Sequence, residues 1–207
     1  DRLDYLVRDS FYTGVSEGII GSERIIKMLN VINDQLVVEA KGIYSIEKFL
    51  IARRLMYWQV YFHKTVVAAD QMLSKILFRA RTLVRNNVDL FTTPALKFFL
   101  KDHITISDLE NDVKGGHYKL LELFSKIDDY DIMCSIKNWT NHSDKILSFL
   151  SERLVNRKLF RIIIQNQPFD KSYIEEIKSR AKKLFGFNTE EVENIVFSDY
   201  MTYVNGV

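Results

Sequence analysis

The sequence predicts a mainly α-helical protein with one small β-hairpin near its start and a small α/β region at its end. Three observations lead there. Only two prolines (Pro94, Pro168) and eight glycines interrupt the 207 residues, which leaves room for long helices. Apolar side chains recur with helical period through most of the chain. One stretch, Val31-Ile32-Asn33-Asp34-Gln35-Leu36-Val37-Val38-Glu39-Ala40, instead sets β-branched flanks around an Asn-Asp turn.

The first helix begins at residue 1 and stops near Gly14, a residue suited to a left-handed C-terminal position. Ser22 with Glu23 opens a short helix through Leu29. The hairpin at 31–40 follows, and Gly42 closes it. Ser45 is the expected cap of a long helix. No Pro or Gly interrupts residues 45–92, and helix-favouring residues are frequent there, with a break near Asn86-Asn87. Thr93-Pro94 is an N-cap and first-turn pair. Ser107 starts another short helix, and Gly115-Gly116 is a loop. Segments 117–128, 129–141 and 143–157 read as helices separated by Gly, Asp or Asn turns. The texture changes at Lys158. Leu159 to Gln165 reads as a strand ended by Asn166-Gln167-Pro168. Asp170 caps a helix running to Gly186, Thr189 starts a further helical turn, and Asn194-Ile195-Val196-Phe197 reads as a second strand. Three regions result: 1–85, 86–157 and 158–207, the last a small α/β appendage.

Composition narrows the function classes. The chain is 47% hydrophobic and 27% charged, with a net charge of +2, as expected of a soluble globular protein. With no long Lys/Arg run, a general nucleic-acid-binding surface is disfavoured, though a local cluster still suits a small anion. The single Cys134 excludes an internal disulfide framework and fits a reducing compartment, so the expected location is cytoplasmic. Apolar runs such as Leu159-Phe160-Arg161-Ile162-Ile163-Ile164 are too short to span a bilayer, and no membrane partner is expected.

Two polar clusters stand out. At about 100° per residue, Asp1, Tyr5, Arg8, Asp9 and Tyr12 share one stripe of the first helix, while Leu3, Leu6 and Val7 lie on the other side. Carboxylates, phenols and a guanidinium on one face suit metal, phosphate and sugar, although a surface salt-bridge network has the same pattern. In the long helix, Arg53, Tyr57, Tyr61 and Lys64 fall within about 80° of one another on a helical wheel. Two cations and two phenols there can grip phosphate oxygens and stack on a ring. A solvated basic face with interfacial tyrosines is the alternative.

The segment Asp1-Arg2-Leu3-Asp4-Tyr5-Leu6-Val7-Arg8-Asp9 resembles the D-[RK]-x-D-Y-x-x-R-D segment of HD-domain phosphohydrolases related to deoxynucleoside triphosphate triphosphohydrolases. Arg53 followed by Tyr61-Phe62-His63-Lys64 resembles that family's R…Y-x-H-K segment. Asn156-Arg157-Lys158-Leu159-Phe160-Arg161 is similar to its R-x-L-[FY]-[KR] element. The resemblance covers most of residues 1–85 and, thinly, 140–207. It implies that 1–85 is the C-terminal part of an HD-type catalytic domain, 86–157 a helical region and 158–207 a small α/β region that the chain leaves incomplete. By the same resemblance Asp1 would be a metal ligand, and Arg2 would contact phosphate. Tyr5 would pack on the deoxyribose and Asp9 would accept a hydrogen bond from the 3′-hydroxyl. Arg53 would hold the phosphate tail and Tyr61 would line the sugar or base pocket. Lys64 joins this substrate-binding set, and His63 is expected in a structural role.

The reaction so implied is hydrolysis of a (deoxy)nucleoside triphosphate to nucleoside and triphosphate. It is assisted by a divalent ion: manganese, magnesium, iron, nickel or zinc. Homo-oligomers are implied as well. The family's upstream H…HD set has no counterpart here, because His63, His103, His117 and His142 all lie downstream and none precedes an Asp. The chain is therefore expected to be part of a longer hydrolase, to bind no metal tightly by itself and to be inactive alone. The other readings are a non-enzymatic helical interaction module and an HD phosphohydrolase with a different phosphoester substrate.

Overall fold

The computed structural model describes residues 1–199. Helix α1 (Arg2–Thr13) ends, as its sequence requires, on Gly14 in the left-handed region (φ 72°). The chain then reverses, and the buried Ser10 hydroxyl donates to the Val15 carbonyl at 2.5 Å. A 3₁₀ turn follows at Ser16–Gly18. Gly18 is fixed by space: a Cβ there would meet Ser10 Cβ at 2.8 Å, the Leu6 carbonyl oxygen at 2.9 Å and Met56 Sδ at 3.0 Å. Any larger residue would push this loop off α1.

Helix α2 (Ser22–Lys27) leads into an antiparallel hairpin of β1 (Leu29–Ile32) and β2 (Gln35–Val38), with Leu29 opposite Val38 and Ile32 opposite Gln35. Asn33 (φ 50°) and Asp34 (φ 62°) both take positive φ, the two-residue turn whose twist matches the strands. The hairpin thus falls where the sequence places it, starting two residues earlier. Helix α3 (Ile43–Met56) is preceded by a 3₁₀ turn at Ala40–Gly42, so its start is already wound and Ser45 lies inside the helix instead of capping it.

The long helix expected from residue 45 is not continuous. α3 runs into a π turn at Tyr57–Tyr61, where the Phe62 N–H reaches back to the Tyr57 carbonyl at 2.8 Å. A new helix, α4 (Lys64–Arg85), starts after His63. No Pro or Gly marks this break. The later one near Asn86-Asn87 is as expected, with Asn87 at φ 61°.

The chain divides into two compact units, Asp1–Val67 and the residues from Ala68 onward. The first has a small core of Leu6, Ile20, Ala52 and Met56, edged by Leu3, Tyr5, Phe49 and Tyr61. Much of its apolar surface stays open, with Leu50, Ile51 and Trp58 more than half exposed.

The second unit holds the larger core, which gathers Ile76, Leu83, Leu100, Ile136, Trp139, Ile146, Leu147 and Leu150. Its helices are α5 (Pro94–Lys101), α6 (Ile106–Lys114), α7 (Lys119–Phe124), α8 (Asp129–Trp139), α9 (Lys145–Val155), α10 (Lys171–Phe185) and α11 (Thr189–Val192). Reciprocal capping boxes start α6 (Thr105 with Asp108), α8 (Asp128 with Asp131) and α11 (Asn188 with Glu191). Thr105, not Ser107, therefore caps α6. Asp170 and Gly186 bound α10 as predicted.

Neither strand expected after Lys158 forms among the described residues. Residues 159–165 are irregular, with Ile163 and Ile164 43% and 48% exposed. Residues 194–197 include the turn after α11: Ile195 is buried in the core, Val196 packs against it, and the Lys75 ammonium lies 4.3 Å from the Phe197 ring centre. From the first run only Phe160 packs on the core, while Ile195 and Val196 of the second are taken up by it, and neither run finds a strand to pair with among the described residues. The appendage is helical, while the mainly α fold with one hairpin stands. The expectation that the chain leaves 158–207 incomplete concerns its final residues, Asn205-Gly206-Val207, which lie outside the described residues.

Candidate ligand-binding site

The site is built within the first unit from α1, α3 and the π turn. Residues four apart on a helix share a face, so α1 presents Tyr5 beside Asp9. The Tyr61 hydroxyl donates to Asp9 Oδ2 at 2.7 Å, joining residues 52 positions apart. The Tyr5 ring meets Tyr61 edge-on, with centres 6.1 Å apart, and Tyr57 meets Tyr61 in the same way at 4.9 Å. The Arg53 guanidinium carbon stands over the Tyr57 ring, 5.5 Å from its centre. Tyr5, Asp9, Arg53 and Tyr61 are all half-buried.

The electrostatics follow from this packing. Burial, and then the hydrogen bond to Asp9, push the Tyr61 phenol far above its ordinary range, so it stays a donor at any physiological pH. The Arg53 guanidinium is held in its charged form chiefly through Tyr57, against the cost of burial, with Tyr5 adding to the effect. Arg53 Nε is buried and has no hydrogen-bond partner, and no carboxylate pairs with Arg53 among the described residues. One face thus combines an acceptor carboxylate fixed from behind, two phenol rings and a cation with its charge still open. Such a set can accept a hydroxyl, pack on a sugar or base and meet an anion.

Other predicted residues stand apart from this group. Asp1 is the exposed N-cap of α1: its carbonyl accepts the Tyr5 N–H at 2.9 Å, but its carboxylate makes no cap bond. Arg2 and Lys64 are exposed, and neither makes a hydrogen bond or ion pair with the Tyr61–Asp9 pair. His63 serves the backbone, its Nδ1 accepting the Thr65 N–H at 3.3 Å at the start of α4. On the α1 stripe, Arg8 pairs with Asp4 at 3.1 Å and Tyr12 packs edge-on against Phe11. Val7, placed on the apolar side by the wheel, is 39% exposed. The sequence reading missed the π turn and the Gln59 amide donating to Glu17 at 3.1 Å. The one available signal was the aromatic density of Tyr57-Trp58-Gln59-Val60-Tyr61-Phe62.

Comparison with known proteins gives this arrangement its context. Residues 20–92 match the model of the HD associated region. A solved phosphohydrolase from Bacteroides thetaiotaomicron VPI-5482 superposes with a TM-score of 0.82 and 49% sequence identity, over 93% of this chain and 47% of that one. These matches support an HD-domain phosphohydrolase family assignment for this chain. Within that family's range it is also 34% identical over 185 residues to the uncharacterized protein YwfO of Bacillus subtilis, covering 88% of this chain and 39% of the relative. It is 32% identical over 162 residues to a protein of Dictyostelium discoideum named a deoxynucleoside triphosphate triphosphohydrolase SAMHD1 homolog, covering 78% of this chain and 28% of that one. The chain spans less than half the length of the relatives it matches.

The family assignment implies a divalent metal ion, and the residues present can be tested against it. Asp9 is engaged by Tyr61 and Asp4 by Arg8, which leaves Asp1 as the one carboxylate of α1 and its cap without a side-chain partner. Among the described residues no three His, Cys, Asp or Glu side chains gather as a ligand set. The described residues do not make a metal site by themselves. No described helix is long and apolar enough to cross a membrane.

Proposed function

We propose that this chain forms the substrate-gripping part of a metal-dependent phosphohydrolase that converts (deoxy)nucleoside triphosphates to nucleoside and triphosphate. The observation that carries the reading is the Tyr61–Asp9 hydrogen bond. It joins α1 to the helix bearing Arg53, so a sugar-hydroxyl acceptor and a phosphate-seeking cation share one face. In this reading Asp9 accepts the 3′-hydroxyl through the oxygen that Tyr61 leaves open. Tyr5 packs on the sugar and Tyr61 lines the sugar or base pocket. Arg53 holds the phosphate tail, with Arg2 and Lys64 adding positive charge nearer solvent. Asp1 is the one carboxylate this chain would offer a divalent ion, and the other donors must come from outside the described residues. The name of the Dictyostelium relative supports this substrate class. We place the protein in the cytoplasm as a homo-oligomer.

Triphosphate release tests the proposal, measured for each deoxynucleoside triphosphate with the chain joined to its family's upstream segment and supplied with manganese. Activity is expected, with Arg53→Ala lowering kcat/KM by about 100-fold, the scale of removing one charge-stabilising group. Asp9→Asn should chiefly erase the preference for a free 3′-hydroxyl. If simple phosphoesters are cleaved and no nucleotide is, the substrate class is wrong. If nothing is cleaved, the enzymatic reading falls.

A further inference from the structure

We propose that Tyr57 is a positioning residue whose ring holds the Arg53 guanidinium ready for the phosphate tail. The inference rests on the phosphate-binding reading of Arg53 and goes beyond it, since neither the resemblance nor the relatives assign Tyr57 any role.

A free arginine is a poor anion trap because its long side chain samples many rotamers, and fixing it costs about 2 kcal/mol of rotamer entropy. Proteins usually fix a half-buried arginine with a carboxylate, but that neutralises the charge the ligand needs. Here no carboxylate pairs with Arg53, and its Nε is buried without an acceptor. An aromatic ring takes the carboxylate's place. The guanidinium lies over Tyr57 at 5.5 Å, within the range where a ring quadrupole attracts a cation. The Tyr57 and Tyr5 side chains also hydrogen-bond to the guanidinium, but unlike a carboxylate they leave its charge unneutralised, and a guanidinium fork matches phosphate oxygens two at a time.

The ring itself is braced. Tyr57 meets Tyr61 edge-on at 4.9 Å and Phe62 at 5.5 Å, and Tyr61 is tied to Asp9. The π turn spans Tyr57–Tyr61, with a backbone bond five residues long from the Phe62 N–H to the Tyr57 carbonyl. Such insertions are uncommon in helices and recur at functional sites. The row of rings therefore links the sugar-binding carboxylate to the phosphate-binding cation, with Tyr57 next to the cation.

The test uses the chain with no added metal and inorganic tripolyphosphate as probe, read by titration calorimetry and by the Arg53 Nε–H signal in nitrogen-edited NMR. In the unaltered chain this signal should be displaced by the Tyr57 ring current and should move again as tripolyphosphate is added. Tyr57→Phe keeps the ring but deletes the hydroxyl that hydrogen-bonds Arg53, so it should weaken affinity about threefold, whereas Tyr57→Leu loses ring and hydroxyl and should weaken it at least about tenfold. Adding Tyr57→Leu to Arg53→Ala should cost nothing further, because Tyr57 acts only through Arg53. An unshifted Arg53 signal, or a folded Tyr57→Leu chain that binds as tightly as the original, overturns the inference alone. Failure of the original chain to bind tripolyphosphate sinks the phosphate-binding reading of Arg53 and this inference with it. Should the Leu variant not fold, the Arg53 signal of the unaltered chain still decides.

Discussion

Two half-buried arginines, one in each unit, are handled in opposite ways. In the second unit Arg79 donates through Nε and Nη2 to the two oxygens of Asp144, at 3.1 and 2.6 Å, and Asp144 also caps α9 by accepting the Leu147 N–H. In the first unit Arg53 has aromatic rings around it and no carboxylate. The Arg79 pair is closed: each charge is met, and the pair locks α4 to the start of α9. Arg53 meets no carboxylate among the described residues; hydrogen bonds with the Tyr57 and Tyr5 side chains and the Tyr57 ring offset its burial without neutralising its charge. The cores differ in the same sense. The second unit buries Trp139 and a broad set of aliphatic residues, while the first keeps a small core and carries the site. The larger core lies in one unit and the proposed binding face in the other.

The sharpest way to break this contrast is to open the closed pair. Asp144→Ala strands the Arg79 charge and uncaps α9, and it should cost about 3 kcal/mol of the second unit's stability, read from urea unfolding. A cost under about 1 kcal/mol would show that the pair is as open as Arg53. The pH dependence has a definite sign. Burial alone would raise the Asp144 carboxyl, but the hydrogen bonds from Arg79 and the Leu147 N–H, with the Arg79 charge, hold it below its ordinary value. A group lowered on folding contributes stability above its unfolded pKa of about 3.9, and that contribution is lost as pH falls through the folded value. The second unit should therefore weaken below about pH 4. In Asp144→Asn that acid-dependent part should be missing.

A smaller effect is expected in the first unit. Tyr61→Phe deletes one hydrogen bond to a carboxylate, so it should cost about 1.5 kcal/mol and leave the ring contacts intact. Tyr61 is raised on folding, so its contribution is fully present below the unfolded value of about 10 and lost only in stronger alkali. Unfolding curves that separate only above about pH 10 in the original chain, and show no such separation in Tyr61→Phe, would confirm that this bond holds α1. Smaller again is Arg8→Ala. The Arg8–Asp4 pair is 3.1 Å long but its side chains are 55% and 66% exposed, so water screens it and the cost should be about 0.3 kcal/mol. A cost near that of Tyr61→Phe would mean the α1 stripe works as one network.

Much of this was legible in the sequence for physical reasons. The Asn33-Asp34 turn, the Gly14 and Gly186 helix ends and the Asp170 cap are local, and each is decided by a residue whose backbone preference or side-chain acceptor acts within a few positions. Tyr5 with Asp9, and Arg53 with Tyr61, were legible as two separate clusters from helical spacing, and only the family resemblance put them in one site. Some misses are cases where distant packing decides, and others are local start signals that outcompete the expected cap. The π turn carries no local signal, since Tyr57, Trp58 and Tyr61 are acceptable in a plain α-helix and only their contacts favour the extra residue per turn. The runs at 159–165 and 194–197 have strand-like texture, yet a strand needs a neighbour, and neither run finds one among the described residues. Ser45 and Ser107 are plausible caps, but a preceding 3₁₀ turn and the reciprocal bonds of Thr105 with Asp108 start those helices earlier.

The prediction in which no net loss of stability is expected is also the most telling. Arg53→Met keeps the apolar stem that packs in the first unit and removes only the charge. If that charge has no internal partner, as the geometry indicates, its removal relieves a desolvation cost and breaks no ion pair. The melting midpoint of the first unit should then stay within about 0.5 kcal/mol of the original, or rise, since sites built for ligands commonly cost stability. Tripolyphosphate affinity should fall steeply in the same variant. A stability loss of 2 kcal/mol or more would mean that the rings alone pay back the burial of Arg53, and the cation would then be structural, like Arg79, with its resemblance to a ligand-binding arginine accidental. Arg79→Met removes the corresponding cation and leaves the Asp144 cap of α9 in place, so the difference between its cost and that of Arg53→Met measures how far each arginine is committed to the fold.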